Sequence, residues 1–417
     1  MAVHAVISAD EAAQLLGVKP ATVYAYVSRG LLHSHRRPGS RQSWFDARDV
    51  GRLAASRGQG RDRRPEVAIS TSVARIDGQR LWYRDHDAVE LAATRSFEEV
   101  CQYLWSGELA PHPFQARPEV LSALRRVAAR APVGARPLDA LAIAVTTAGA
   151  LDPLRYDLAP GSVATTGRSL IACCAEPLEA PPLKGAPVPS VAVRLWAKLG
   201  GPPSAAWGPV VLDRILVLLA DHELATSTLA ARLAASTRAD PYAVVSAGLA
   251  VLHGPLHGTA SSEEVVPLLM AAGGPAGPGP AISERLRRGS PLWGFGHRVY
   301  EHGDPRAIFL LSLLESQLPP TAGTAKKLDV IRAVRDAVVA RSGLQPNVDF
   351  GLGAFVYAAG VEKTSGELIF AVARTAGWLA HAIEEYQEEP LRFRSRAVPR
   401  DLPRDPDLGS SGSAAHP

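Results

Sequence analysis

The run GFGHRVYEHGDPR, from Gly294 to Arg306, sets His297 and Arg306 nine positions apart in a stretch dense with groups that can bind an anion. An arginine presents a planar fork that holds a carboxylate through two hydrogen bonds, and a neutral imidazole can donate from either ring nitrogen. Four more segments carry groups of the same kind: His222 in ADHELATST, His257 in GPLHG, Asp349 in PNVDFGLG and Arg374 in ARTAGWLAH. Arg394 follows in RSR, twenty positions after Arg374. Such a set suits acid–base chemistry on an anionic substrate. No metal is expected. His253 and His257 have the spacing of a zinc pair, but Pro255 interrupts the turn between them and no glutamate adjoins them.

These residues must be carried by helices. Stretches such as SFEEVCQYLWSGEL, PEVLSALRRVAARA, PLDALAIAVTTAGAL, SVAVRLWAKL and VVLDRILVLLADHELATSTLAARLAAS read as apolar helical segments separated by short Pro/Gly breaks. Convincing β-alternation is scarce outside residues 67 to 84, so the expected fold is mainly α-helical. Of 417 residues, 47% are hydrophobic and 21% charged, as in ordinary soluble domains. No apolar stretch is long and charge-free enough to span a bilayer, and the first residues lack the features of a secretory signal, so no membrane partner is expected. The three cysteines, Cys101, Cys173 and Cys174, lack metal-ligand spacing and fit a reduced, cytoplasmic setting as small apolar side chains. The glycine-rich residues 271 to 281 lack the Lys-Ser/Thr of a phosphate loop and read as a surface loop.

The Gly-x-Gly-His start and Asp-Pro-Arg end of the first run, with the order of the other segments, resemble the citrate synthase family over residues 66 to 396. The resemblance implies an all-α fold with large and small subdomains, opened by a short β-region, acting as a homodimer. It also implies a reaction: condensation of acetyl-CoA or propionyl-CoA with oxaloacetate, then thioester hydrolysis to citrate or 2-methylcitrate and CoA. In that reading Asp349 is the base at the thioester α-carbon, His257 donates to the thioester oxygen, and His297 polarises the ketone of oxaloacetate. His222, His297, Arg306, Arg374 and, from the second subunit, Arg394 bind oxaloacetate. The loop with Leu292, Gly294, Phe295, Gly296 and Arg298 meets coenzyme A. The CoA thioester is a co-substrate, and no permanently bound cofactor is implied. The chain departs from the family at Ala225, where Asn is common, at Thr259 after GPLHG, and at Ser395 between the last two arginines.

The N-terminal part is of a different character. Residues 1 to 65 hold 11 Lys and Arg against 5 Asp and Glu, while the remainder holds 34 against 36, so the basic excess points to an anionic partner for the small segment. Ser8 with Glu11 forms the pattern of a capping box before Ala12, Leu15 and Leu16. Gly17 ends that helix, and Pro20 opens a second with Val23, Tyr24 and Val27. Two short helices, then basic arms about Pro38-Gly39 and the pair Trp44-Phe45, resemble a MerR or excisionase-type winged helix-turn-helix over residues 1 to 57. The resemblance implies DNA as a partner. Lys19, Thr22, Tyr24, Ser28 and Arg29 would lie on or beside the recognition helix, and Arg36, Arg37 and Arg41 on the wing. Residues 58 to 65 read as a linker and 397 to 417 as a disordered tail. Two other readings stay open: a DNA-binding regulator that uses the synthase domain as a metabolite sensor, and a docking module that never meets DNA.

Overall fold

The computed structural model describes residues 6–16, 18, 20–28, 32, 34–36, 43–46, 50, 69–130, 134–178, 188–258, 264–300 and 302–393. Expectations for Gly17, Lys19, Arg29, Arg37, Arg41, the linker, Thr259, Arg394, Ser395 and the tail lie outside these residues, as do the side chains of Ser28 and Arg36. The chain divides into two compact units, Met1–Ser70 and Thr71–Pro417.

In the first unit the capping box forms: Ser8 Oγ accepts the Glu11 N–H at 3.3 Å, and Glu11 Oε2 accepts the Ser8 N–H at 2.7 Å. It starts α1 (Ala9–Leu16), and Pro20 opens α2 (Pro20–Ser28), where its missing N–H costs nothing. Strands β1 (Val6–Ser8), β2 (Ser34–Arg36) and β3 (Ser43–Asp46) make an antiparallel sheet in the order β1-β3-β2, with Trp44 opposite both Ser8 and His35. β2 and β3 are thus paired, with β1 added on the far side of β3. Ala12, Ala13, Val23, Tyr26, Leu32, Phe45 and Val50 form one small core.

The second unit opens with an antiparallel meander, β4 (Ala74–Asp77), β5 (Arg80–Tyr83) and β6 (His86–Asp87). Fifteen helices follow among the described residues. They are α3 (Ala88–Thr94), α4 (Phe97–Ser106), α5 (Pro118–Ala128), α6 (Pro137–Ala150), α7 (Pro160–Ala175), α8 (Val191–Lys198), α9 (Trp207–Leu219), α10 (Thr226–Ser236), α11 (Pro241–Leu252), α12 (Val266–Ala272), α13 (Pro278–Arg287), α14 (Pro305–Gln317), α15 (Ala322–Ser342), α16 (Val348–Ala359) and α17 (Ser365–Glu385). Proline opens six of them; Asp240 and Asp304 also cap two of these through their side chains, and Asp87, Ser96, Ser190 and Asn347 cap others. The glycine-rich residues 271 to 281 are not all loop, since Pro278 already begins α13. Cys101, Cys173 and Cys174 are buried, and burial pushes the Cys173 thiol up to about 11 and that of Cys174 to about 12. No helix among the described residues is long and apolar enough to cross a membrane.

The central element is α17, buried along nearly its whole length. It explains one departure from the sequence reading. The apolar run 210 to 236 reads as continuous helix, yet the chain breaks between α9 and α10. The last carbonyls of a helix need outside donors, and here tertiary groups supply them. The Tyr83 hydroxyl lies 2.9 Å from Val217 O and 3.1 Å from Asp221 O, Arg374 Nε donates to Leu219 O at 2.8 Å, and the Gly377 N–H donates to Ala220 O at 3.0 Å. A side chain at 377 could not replace glycine, because its Cβ would stand 2.3 Å from Asp221 Oδ1. The break then passes through Glu223 at φ 52°, a left-handed conformation that strains a non-glycine residue.

Candidate active site

The break between α9 and α10 delivers His222 to a cavity of about 650 Å³. Its walls include His222, His257, His297, Arg306, Asp349 and Arg374, drawn from five separate segments. Six of the seven oxaloacetate and catalytic positions expected near one another are thus in its wall, and the seventh, Arg394, lies outside the described residues.

Each side chain has a visible reason for its place. His257 follows α11 and its Nε2 lies 2.9 Å from the hydroxyl of Ser227, a fully buried residue of α10. His253 turns elsewhere, with Nδ1 2.9 Å from an Arg136 Nη2, so the two histidines do not converge. His297 Nδ1 accepts the backbone N–H groups of Val299 at 3.1 Å and Tyr300 at 3.4 Å. That nitrogen is therefore the acceptor, and the proton of the neutral ring resides on Nε2, ready to be donated. The His222 and His297 rings meet edge to face with centroids 5.4 Å apart.

Arg306 and Arg374 are each 2% exposed. Asp304 caps α14 and holds Arg306 through Nε and Nη2. Arg374 sits in mid-α17 with its Cζ 4.6 Å from the Phe370 ring centroid. Asn347 caps α16 by accepting the N–H of Asp349 at 3.0 Å, so Asp349 itself occupies the first turn and is not the cap. Burial pushes the Asp349 carboxyl up to about 6, offset in part by Arg306 and Arg374. Burial, with Arg374 nearby, pulls His257 down to about 4, and burial together with Arg306 also lowers His297. His222 is held well below the usual range by burial, Arg306, Arg374 and His297. At neutral pH the cavity thus presents uncharged imidazoles, buried arginine cations and, in Asp349, a carboxylate poised to take a proton, with Glu223 also in the wall.

The segment expected to meet coenzyme A divides. Gly296 and the exposed Arg298 line the cavity, together with Trp293. Leu292, Gly294 and Phe295 are not part of its wall. Phe295 is buried against Phe350, with centroids 4.7 Å apart. The loop's backbone is largely committed: the Phe295 N–H to Leu292 O, the Gly296 N–H to Gln345 O at 2.7 Å, and Gly294 O and Gly296 O to Asn347.

Sequence reasoning missed several supports. Asp304, Ser227 and Tyr300 each touch a group of the site. A further network lies beneath it. Arg232 on α10, fully buried, pairs with Glu385 at 2.9 Å and with Glu384 at 2.6 Å, and donates to His381 Nδ1 at 2.9 Å. His381 Nε2 lies 3.3 Å from Asp221 Oδ2, immediately before His222. Only the Asp-Pro-Arg cap was signalled locally, because the other pairs join residues far apart in the chain.

The family model "Citrate synthase, C-terminal domain" matches residues 64–396. The chain belongs to the citrate synthase family. Citrate synthase 2 of Bacillus subtilis is 32% identical over 358 residues, covering 79% of this chain and 93% of that relative. A 2-methylcitrate synthase of Mycobacterium tuberculosis is 30% identical over 353 residues, covering 76% and 85%. The crystal structure of citrate synthase from Pyrobaculum aerophilum superimposes with a TM-score of 0.68 at 27% identity, covering 90% of this chain and 97% of that one. A helix-turn-helix domain model matches residues 6–50. The chain is therefore an enzyme of the citrate synthase type that carries a helix-turn-helix unit.

Proposed function

We propose that this enzyme condenses acetyl-CoA or propionyl-CoA with oxaloacetate and then hydrolyses the thioester, releasing citrate or 2-methylcitrate and CoA. The observation that carries the reading is Asp349: a carboxyl pushed up to about 6, in the wall of a cavity shared with three neutral imidazoles and two buried arginines. A base of that kind accepts a proton from carbon near neutral pH more readily than an ordinary carboxylate. His257, oriented by Ser227, donates to the thioester oxygen as the enolate forms. His297 donates from Nε2 to the ketone and gives its proton to the new alkoxide. Arg306, Arg374 and His222 hold the carboxylates, and Arg394 of the partner subunit completes the set in a homodimer. Arg298 and Trp293 at the cavity wall are the groups for the CoA chain. The test is free-thiol release with oxaloacetate and each acyl-CoA. Release that depends on oxaloacetate supports the reading; none with any short acyl-CoA from a folded protein ends it.

A second reading concerns the first unit. Its helix-turn-helix match and the 47% exposure of Tyr24 on α2, with Thr22 also partly exposed, favour a nucleic-acid contact. DNA binding, with the synthase unit sensing its own substrates, would make the chain a regulator. Selection of genomic fragments by the full chain tests it, with a chain lacking residues 1 to 64 as the reference.

A further inference from the structure

Tyr300 lies three residues after His297 and has no part in the cavity wall, yet it touches three groups that form it. It is 2% exposed. Its hydroxyl lies 3.1 Å from His222 Nε2. Its ring lies tilted at 33° beside that of His297, with centroids 4.7 Å apart, and its backbone N–H points to His297 Nδ1. Arg306 Cζ is 5.5 Å from its ring centroid, within cation–π range.

We propose that Tyr300 is a positioning residue for oxaloacetate binding, which fixes the ring orientation and proton location of both His222 and His297 from behind. The inference rests on the citrate synthase reading for its kinetic consequence, but not for the proton assignment itself. A phenol in this place remains protonated at every working pH, because burial pushes it up to about 12. Among the described residues the one hydrogen-bond partner of this hydroxyl is His222 Nε2; a phenol that donates its proton there makes Nε2 the acceptor and puts the proton of the neutral ring on Nδ1. At His297 the backbone N–H of the same residue requires the reverse, with the proton on Nε2. One residue thus assigns opposite tautomers to two facing imidazoles. Without the hydroxyl, His222 exchanges tautomers freely, and the donor pattern around the substrate carboxylates loses its definition.

The experiment compares wild type with Tyr300→Phe, which keeps the ring, and Tyr300→Leu, which does not. Loss of one buried hydrogen bond is worth about 3- to 10-fold in binding. Tyr300→Phe is therefore expected to raise the KM for oxaloacetate by that factor, with the KM for acyl-CoA and the thermal midpoint little changed. Tyr300→Leu, which also frees His297, should lower kcat as well. In a His222→Gln background the Tyr300→Phe change should have no further effect, since its route is removed. Equal rises in both KM values, or an effect that persists in that background, would mean a merely structural role and overturn the proposal. So would an unchanged KM for oxaloacetate. The ¹⁵N shifts of labelled histidine in the full chain provide a readout that needs no turnover: one fixed Nδ1–H signal for His222 in wild type, averaged in Tyr300→Phe. An inactive wild type with those shifts would refute the reaction and leave the positioning intact; a wild-type His222 already averaged would refute the positioning.

Discussion

Asp304 clamps Arg306 through two parallel hydrogen bonds, Nε to Oδ1 at 3.0 Å and Nη2 to Oδ2 at 2.8 Å. The same carboxylate accepts the Arg306 N–H at 3.0 Å, capping α14, and the Val348 N–H at 2.9 Å, at the start of α16. One edge of the guanidinium fork, Nε and Nη2, is thereby occupied, and Arg306 lies in the cavity wall. A single buried side chain ties the cation to the helix whose first turn holds Asp349.

Replacing Asp304 should therefore damage stability and binding together. Asp304→Ala leaves Arg306 buried without its counter-charge, a loss that costs about 3–5 kcal/mol. Urea denaturation should show it, with a higher KM for oxaloacetate in whatever protein remains folded. A variant as stable as the parent would mean that the clamp contributes little.

The pH profile follows from Asp349. As a base it works ionised, so kcat/KM should fall as pH drops through about 6, and His257, at about 4, is already neutral there. The stability effect has the opposite sense. The folded-state value is raised above the unfolded one, so the contribution of the protonated carboxyl is full below the unfolded value of roughly 4 and is lost as pH rises through about 6. Asp349→Asn should thus cut kcat by about 10²–10⁴-fold. It should also raise the thermal midpoint at pH 8 while leaving it unchanged at pH 4. A midpoint shift of equal size at both pH values would contradict the assignment.

The network under the site yields a third expectation. Arg232 answers Glu384 and Glu385 and supplies the donor for His381, whose other nitrogen faces Asp221. Arg392 also pairs with Glu385 at 2.7 Å, but from a more exposed position. Arg232→Met should cost about 3–5 kcal/mol, because removing one partner strands buried charge. Chemical denaturation measures it. A loss under 1 kcal/mol would mean that Arg392 and solvent take over.

Much of this was legible along the chain, and the reason is locality. Pro118, Pro137, Pro160, Pro241, Pro278 and Pro305 mark helix starts by what proline lacks, and the boxes Ser8/Glu11 and Ser96/Glu99 are four-residue patterns. The cavity residues were readable as a family order of short motifs. What escaped is non-local. Nothing near residues 220 to 225 signals a break in an apolar helical run; the donors that create it are Tyr83, Arg374 and Gly377. Arg232 and His381 stand 149 positions apart, and each alone reads as an ordinary helical residue. In the loop expected to meet coenzyme A, Gly296 and Arg298 line the cavity, while Leu292, Gly294 and Phe295 do not and Phe295 packs in the core, a division set by tertiary packing that the motif does not carry.

The departure at Ala225 has a measurable cost. Ala225 is the N-cap of α10, with φ −53° and ψ 155°, and its side chain can accept no hydrogen bond from the first turn. That helix carries both Ser227, which orients His257, and Arg232. Ser or Asn at an N-cap typically gains about 0.5–2 kcal/mol over Ala. Ala225→Ser and Ala225→Asn should accordingly raise the denaturation midpoint, whereas Ala225→Val, with no acceptor, should not. Because residue 225 also lines the cavity, the kinetic consequence separates the two substituents. Serine adds only a hydroxyl turned toward the helix backbone and should leave both KM values within about two-fold, as expected when no binding group is lost or displaced. Asparagine is larger and enters the space that substrate uses, so any change in KM should belong to it. A serine variant no more stable than the parent would show that solvent already satisfies the first turn of α10 as well as a cap would.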